Sequence, residues 1–396
     1  MKKTRQLVTI GLLATGLVAL YGCSSDAVQG EEDSGNIQSV ELKIRTSVEM
    51  ARAGSNGTEG VVTGEAFADG DTIAVYAHSG HYNTTSNNYA LYKLNSSSWG
   101  AIGTTDKIYL STEAATIYGV YPPKLEVTHS SAIDANTTAK ITGLFTGKAD
   151  SADDGNKITL PSTSNAANSS TETIHTAKGE KDCMWATAPG SSSGTTIDAT
   201  SPTATLTMKH ALALVSFKFY KEASFQGTGK LTKIKLTKVD TNGEFKTGAA
   251  TMNISSGTIT ITDNDTQGTL TRFPYTDTST EGYTLKALSE LTGNNESEKK
   301  ATLPAFGILV YPKTGLEADK VKAVFTIDDV DYPINIPAAS SSDGSHEWEA
   351  GYNTTYTVLM KGKELGITSV TVTDWQTATV SSELVPIDGT TTTGNN

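Results

Sequence analysis

The chain has 396 residues, which is enough for two domains of ordinary size, and only 19% of its residues are charged. Its formal net charge of −12 repels the phosphate backbone of nucleic acids and offers no polybasic patch to anionic lipids, which argues against both as direct partners. Short alternating runs between clusters of Gly, Asn, Asp and Ser, without a long amphipathic helical pattern, predict an all-β fold of sandwiches.

The N-terminus has the pattern of a secretory signal over residues 1–22. Three basic residues in the first five positions precede an apolar run from Leu7 to Leu20, which is too short for a membrane span of about 20 residues. The run ends in Gly22-Cys23, which resembles a bacterial lipobox whose cysteine is acylated and becomes the first mature residue. The sequence therefore predicts a lipoprotein anchored through Cys23; an ordinary signal peptide with a coincidental cysteine stays open as the alternative.

Residues 23–36 are polar and acidic, and they predict a flexible tether between the lipid and the fold. Two interpretations remain open for this segment. It is either a solvated linker or an acidic signal for export to the cell surface.

The first strand is predicted by the alternation over Val40–Met50. Its even positions are apolar except for Thr46, and its odd positions are polar, as in a strand with one face on a core and one in water. The apolar row consists of Val40, Leu42, Ile44, Val48 and Met50. The next residues, 51–57, are small and polar, and exposed loops of this kind are where proteases cut.

A polar region separates two groups of strand candidates. The first group includes the strand that follows the turn in Phe67–Ala77, together with Ile108–Leu110 and Thr116–Tyr121. Residues 187–203 are low in complexity and are predicted to be a linker, with a domain boundary near residue 198. This gives an N-terminal β-sandwich over residues 37–197 and a C-terminal one over residues 198–375.

The C-terminal domain is predicted to begin with one strand, Thr205–Tyr220, whose apolar and polar residues alternate. A helix across His210–Val215 stays open as the alternative, because so short an apolar run cannot be assigned by periodicity alone. Further strands are predicted at Leu231–Val239, Gly257–Ile261, Ala305–Pro312, Val321–Ile327, Tyr332–Ile336, Thr354–Met360 and Ile367–Val372. A tail over residues 376–396 carries one more alternation, through Ala378, Val380, Ser382 and Leu384.

Several segments match, in order, the motifs of a single family. They are the lipobox ending at Cys23, Arg52-Ala53 after the first strand, Phe67–Val75 (F-x-x-G-D-x-I-x-V), Tyr118–Pro122 (Y-x-x-Y-P), Leu206–Phe219 (similar to L-x-F-x-H-x-L-A-x-x-x-F), and Trp348–Tyr356 with Val370–Trp375 (similar to W-x-x-G-x-x-Y-x-Y and I-x-V-x-x-W). No one motif is specific, but their order and spacing resemble the fimbrillin-like proteins of Bacteroidota, which are the subunits of type V pili.

The resemblance implies two transthyretin-like β-sandwich domains in tandem and no enzymatic activity, cofactor or metal site. It also implies that the subunit reaches the outer membrane as a lipoprotein carrying acyl chains such as palmitate. An Arg-specific protease then removes the first strand, and a strand of another subunit fills the vacated groove. Copies of the chain and other pilus subunits thereby build a fimbrium that supports adhesion to a host or bacterial surface ligand.

The residues themselves are compatible with this chemistry. Removal of Val40–Met50 would leave apolar pockets and unpaired backbone groups, which are costly to expose and template an added strand. Arg52 is the predicted scissile residue because it follows the strand. Arg45 is the alternative, although it lies within the strand.

The tail is the candidate donor strand, with Val380, Leu384 and Ile387 as the residues that would fill the pockets. Its apolar row is sparser than that of Val40–Met50, and a frayed terminus stays open as the alternative. Because the chain extends beyond Trp375, the sequence favours a stalk subunit that polymerises over one that ends a fibre.

A second functional hypothesis is a permanently anchored surface lipoprotein that binds a glycan or a host protein. It requires an intact first strand and an exposed aromatic surface, for which the candidates are Tyr82, Tyr89, Tyr92 and Trp99. Core packing or the anchoring of loops is the favoured interpretation of these four side chains, and the exposed surface is the alternative. An enzymatic function has no support, because the sequence contains no convincing catalytic or metal-binding motif.

Overall fold

The fold consists almost entirely of β-strands, as the alternating runs predict. A computed structural model describes residues 39–48, 67–80, 88–96, 98–103, 107–123, 125–127, 133–141, 152–160, 174–192, 195–239, 245–262, 268–276, 280–313, 320–337, 348–362 and 364–374. These residues belong to one compact unit, Gln38–Asn396. The predicted signal segment, the predicted tether and the tail lie outside the described residues.

The strands of the first part of the chain are β1 (Val40–Glu41), β2 (Lys43–Val48), β3 (Thr72–His78), β4 (Tyr89–Asn95), β5 (Ser98–Ala101), β6 (Tyr109–Leu110), β7 (Thr116–Tyr121), β8 (Glu126–Val127), β9 (Thr138–Ile141), β10 (Lys157–Thr159), β11 (Ile174–Thr176), β12 (Met184–Ala188), β13 (Ser191–Ser192) and β14 (Thr195–Thr196).

The strands of the second part are β15 (Thr203–His210), β16 (Ala213–Lys221), β17 (Lys230–Lys238), β18 (Ala250–Asn253), β19 (Ile259–Ile261), β20 (Thr269–Tyr275), β21 (Tyr283–Thr284), β22 (Lys286–Ala287), β23 (Ala305–Val310), β24 (Val321–Ile327), β25 (Val330–Asn335), β26 (Tyr352–Lys361) and β27 (Glu364–Asp374). One α-helix, α1 (Glu296–Ala301), and 3-10 turns at Asp154–Asn156 and Leu288–Glu290 complete the described elements. Among the described helices, none has the length and apolarity that crossing a membrane requires.

The first sheet has seven strands in the order β2-β15-β12-β7-β3-β4-β5. Strand β2 runs parallel to β15, and every other neighbouring pair in this sheet is antiparallel. One face packs on an apolar cluster that includes Leu42, Ile73, Tyr92, Ile117 and Leu206. The small pair β1-β6 lies beside this cluster through Val40 and Leu110.

Two six-stranded sheets form a sandwich in the second part of the chain. Their orders are β11-β23-β16-β26-β27, with β22 beside β16, and β10-β20-β17-β24-β25, with β21 beside β17. Between them, the ring of Phe325 packs edge-on against Phe217 and Phe219, with centroids 5.2 and 4.9 Å away. Trp348 is also buried in this core and donates its indole N–H to the Tyr356 hydroxyl oxygen at 3.1 Å. The predicted β-sandwich architecture is therefore confirmed.

The prediction of one strand across Thr205–Tyr220 is wrong, because the chain forms two strands that belong to different sheets. Strand β15 lies in the seven-stranded sheet and β16 in a six-stranded one. Between them, the Ala211 N–H donates to the Cys183 carbonyl, and the Leu212 carbonyl accepts from the Gly351 N–H. The sequence does not reveal the break because β16 is buried on both faces. A strand of this kind has no alternation of apolar and polar residues whose change of phase would mark the end of β15.

The sheets also do not follow the predicted boundary at residue 198. Strands β10 and β11 come from the first part of the chain, yet they add as parallel edge strands to β20 and β23. Strands β8 and β9 pair with β18 and β19 in a four-stranded sheet. A division into two independent transthyretin-like domains stays a prediction.

The predicted linker over residues 187–203 is part of the fold. It contains the end of β12, the β13-β14 hairpin and Ile197, which is buried and whose carbonyl accepts from the Ala115 N–H. The composition is misleading here because Ser, Thr and Gly favour tight hairpins as well as flexible linkers.

A third apolar cluster joins the sheets. Tyr76 and Val120 reach it from the seven-stranded sheet, Met252 from the four-stranded sheet, and Leu214 and Leu309 from a six-stranded sheet. Because all of these side chains are buried, the two halves of the chain share one continuous core rather than meeting across a flexible connection.

A buried ion pair also links the two halves. The Arg272 guanidinium on β20 binds one carboxylate oxygen of Glu180 through Nε at 2.7 Å and Nη2 at 2.6 Å. It also donates to the Asn156 side chain and to the Thr271 carbonyl. Burial raises the pKa of the Glu180 carboxyl, and the Arg272 guanidinium opposes that rise.

We expect Arg272→Met to lower the free energy of unfolding by about 3–5 kcal/mol, because it leaves the Glu180 carboxylate buried without its cation. Urea unfolding followed by tryptophan fluorescence measures the loss. The matched control is Lys361→Met, which removes an exposed pair with Glu222 at 3.9 Å and should change stability by less than about 0.5 kcal/mol. Equal effects of the two substitutions would contradict the structural role of the buried pair.

Candidate functional site

Strand β2 is the edge strand of the seven-stranded sheet, and β15 is the only described strand that pairs with its backbone. The two run parallel in a register that joins Lys43 to Thr203 and Val48 to Met208. By contrast, β15 pairs with β12 only at Lys209 and His210. Most of β15 therefore has β2 as its partner in the sheet.

The apolar row of this first strand faces the core, as the alternation predicts. Leu42, Ile44 and Val48 are 1%, 5% and 6% exposed, and they pack in the cluster that contains Leu206 and Met208. Val40 is half-buried beside Leu110, whereas Met50 lies outside the described residues. The polar row of Lys43, Arg45 and Ser47 is exposed.

Three polar contacts hold the strand over this cluster. The Trp99 indole N–H donates to Thr46 Oγ1 at 2.8 Å, and the Tyr92 hydroxyl donates to the Leu42 carbonyl at 2.9 Å. A more exposed ion pair joins Lys107 Nζ to Glu41 Oε2 at 2.8 Å. We call the surface beneath the strand, formed by the β15 edge with Tyr92, Trp99, Leu206 and Met208, the acceptor groove.

Sequence reasoning missed the roles of Tyr92 and Trp99. Tyr92 packs in the core, as its favoured interpretation predicts, with 1% of its surface exposed, and Trp99 packs edge-on against Phe67 at 5.4 Å, so the alternative of an exposed surface does not hold for these two residues. Tyr89 rests against Tyr76 at 5.0 Å, and the fourth candidate, Tyr82, lies outside the described residues. Burial, with a smaller contribution from Glu41, raises the pKa of Tyr92, so this phenol stays neutral and donates its proton. The sequence held one indication of a polar partner beneath the strand, since Thr46 is the only polar residue in the apolar row.

The remaining predicted site residues divide into two groups. Cys23, Arg52, Val380, Leu384 and Ile387 lie outside the described residues. Arg45 is described, and its side chain points to solvent while its backbone pairs with Thr205.

Within the described part of the chain, nothing suggests a metal centre, since no group of three or more His, Cys, Asp or Glu side chains could hold an ion. His210, which ends β15, contacts the buried Asp182 carboxylate at 2.6 Å. Its neighbour Cys183 is buried, and burial raises the pKa of its thiol, which makes the thiol unreactive. These groups serve the packing between β12 and β15.

Strand β2 is joined to the later strands of the fold by a single chain connection. It is connected to Phe67 only through residues 49–66, and no other strand connection passes through it. A cut in that segment would leave β2 held by hydrogen bonds and by its apolar side chains, each worth about 1.5–3 kcal/mol of burial.

A protein-family model described as fimbrillin-like matches residues 60–375 of this sequence. The chain belongs to the fimbrillin-like family. The match covers the acceptor groove and both six-stranded sheets but begins after β2. This match confirms the resemblance inferred from the motifs and indicates a structural protein of fimbriae rather than an enzyme.

Solved structures from Bacteroides resemble this fimbrillin-like chain at low sequence identity. A candidate cell adhesion protein from Bacteroides ovatus has a TM-score of 0.53 and 14% identity, covering 86% of this chain and 99% of its own. A candidate cell adhesion protein from Bacteroides uniformis gives 0.49 and 15%, covering 85% and 99%. A fimbrial protein from Bacteroides vulgatus gives 0.42 and 14%, also covering 85% and 99%. No curated protein matches the sequence.

We expect Leu42→Ala to weaken the docking of the first strand by about 2–5 kcal/mol, because it leaves a cavity in the acceptor groove. Amide hydrogen exchange of β2 and β15 measures the loss as faster exchange in both strands. The control is Lys43→Ala on the exposed row, which should change stability by less than about 0.5 kcal/mol. If exchange in β15 stayed unchanged when β2 loosened, the dependence of β15 on its edge partner would be disproved.

Proposed function

We propose that this chain is a polymerising subunit of a cell-surface fimbrium. It is exported as a lipoprotein, held at the outer membrane through Cys23, and cleaved after Arg52 by an Arg-specific protease. The vacated acceptor groove then takes up a strand of the next subunit, which builds the fibre and supports adhesion. The structural observation that carries this proposal is the parallel edge strand β2, which fills an apolar groove and is tethered only through the segment that contains Arg52.

The pairing of Arg45 favours Arg52 as the cleavage site. A protease binds its substrate as an extended segment, and the backbone of Arg45 already pairs with Thr205 on β15. Cleavage there would require the strand to leave the sheet first. Arg52 follows the last described residue of β2, Val48, and lies among small and polar residues.

Loss of the strand supplies the driving force for assembly. It would expose the side chains of Leu206 and Met208, which are fully buried beneath β2, together with the free edge of β15 from Thr203 to Met208. Exposed apolar pockets and unpaired backbone groups favour the addition of another extended strand. Because donor and acceptor are different parts of the chain, such contacts are heterologous and join subunits head to tail, which builds an open fibre where the rotation between subunits does not close a ring.

The tail is the best candidate for the donor. Strand β27 ends at Asp374 at the edge of a six-stranded sheet, and residues 376–396 follow it directly. Val380, Leu384 and Ile387 are the apolar residues of this segment proposed to enter the groove of a neighbouring subunit.

We expect Arg52→Ala to block maturation, so that the surface protein keeps its first strand and forms no fibres. Terminal sequencing of material sheared from the cells should find Ala53 as the first residue of the unsubstituted protein and no such terminus in the variant. Electron microscopy measures fibre formation in the same samples.

The control for this experiment is Arg45→Ala, which should be processed and polymerise normally because the side chain is exposed. Fibres formed by Arg52→Ala with an intact first strand would disprove cleavage-dependent assembly.

We also expect Leu384→Asp to reduce polymerisation at least tenfold, because it would bury a charge in an apolar groove. The length distribution of fibres on protease-treated cells measures the effect. Ser381→Asp is the matched control, since it adds the same charge at the alternate, solvent-facing parity. Similar fibres in both variants would exclude the tail as the donor.

A further inference from the structure

The acceptor groove contains one polar position within its apolar row. Thr46 is half-buried between Ile44 and Val48, and its hydroxyl accepts the Trp99 indole N–H at 2.8 Å. Trp99 is fixed by its edge-on contact with the Phe67 ring. A strand that replaced β2 without a hydroxyl at this point would leave a partly buried N–H without an acceptor, which costs more than a hydrogen bond contributes in water.

The tail carries a matching pattern in one register. The row of Leu42, Ile44, Thr46 and Val48 reads apolar, apolar, hydroxyl, apolar. The tail row of Ala378, Val380, Ser382 and Leu384 reads the same. A shift of two residues would instead set Ser382 in the apolar position of Ile44 and Leu384 against the Trp99 N–H.

We propose that the tail of a second copy binds the acceptor groove parallel to β15, with Ser382 in the place of Thr46 and its hydroxyl on the Trp99 indole N–H. Val380 then takes the pocket of Ile44, and Leu384 that of Val48. Trp99 is a specificity-determining residue that sets the register of the incoming strand. This inference rests on the proposed function, because it assigns the donor and its register at the same groove.

The assigned register has a geometric consequence on the exposed face of the sheet. Arg45 is the register partner of Thr205, so Ser381 stands beside Thr205 in the proposed arrangement. In the register shifted by two residues, Ser381 stands beside Thr203 instead. Neighbouring residues of paired strands have the Cα separation that a disulfide requires. Neither Thr203 nor Thr205 belongs to the buried core, so cysteines there leave the packing intact.

The test uses full-length chains in pairs. A donor carrying Ser381→Cys is mixed with an acceptor carrying Thr205→Cys or Thr203→Cys, and both are treated with an Arg-specific protease under mild oxidation. Mass spectrometry of the linked peptides measures each disulfide. Of the two native cysteines, Cys183 is buried, and Cys23 is removed from the chain by the cleavage after Arg52, so neither competes.

We expect the Thr205→Cys acceptor to give at least tenfold more cross-linked product than the Thr203→Cys acceptor. A preference for Thr203→Cys would overturn the register and leave strand exchange by the tail intact. Fibres without a cross-link in either pair would overturn the parallel placement of the tail in this groove. Absence of both fibres and cross-links would contradict the proposed function itself.

Competition between donors tests the role of Trp99. We expect a Ser382→Ala donor to be incorporated about fivefold less than the unsubstituted donor into the unsubstituted groove, the effect of one lost hydrogen bond. In a Trp99→Phe acceptor, which keeps an aromatic ring against Phe67, the preference should fall below about twofold. Equal incorporation of both donors into the unsubstituted groove would overturn the assignment of Trp99.

Discussion

Strand β15 depends on a partner along its outer edge, and much of the molecule is arranged around that requirement. Its register with β12 is confined to Lys209 and His210, so the backbone groups from Thr203 to Met208 pair with β2. The same strand turns its buried side chains into the cluster beneath β2. Without an edge partner, the backbone groups of β15 would thus lose their hydrogen bonds and its apolar side chains would be exposed to water at the same time, and both changes are unfavourable.

Strand β15 also connects directly to the sheets of the second part of the chain. Only Ala211 and Leu212 separate it from β16, which is a central strand of a six-stranded sheet buried on both faces. The cluster around Tyr76 and Leu214 packs these layers together, and the pair of Glu180 with Arg272 joins them a second time. The sheet that forms the acceptor groove therefore shares a buried apolar cluster with a six-stranded sheet.

The sequence predicts the fold class well because alternation depends only on which face of a strand is buried. For the same reason, it predicts the first strand and the burial of the face that carries Leu42 and Ile44. It does not predict where Thr205–Tyr220 divides, since a strand covered on both faces has no polar face to reveal its phase. The walls of the groove were missed because Tyr92 and Trp99 lie about fifty residues from the strand they contact. Such pairings follow from the topology and leave no local pattern.

The covalent connection between β2 and the rest of the chain has a kinetic consequence. A strand that is covalently joined to its own groove, as β2 is through residues 49–66, competes intramolecularly, where effective concentrations are on the order of millimolar. Any free strand from another molecule is far more dilute, so the intact chain protects its own groove even where the two strands bind equally well. In the proposed maturation, one hydrolysed peptide bond would remove this advantage without altering any atom of the groove. The timing of assembly would thereby be separated from its affinity.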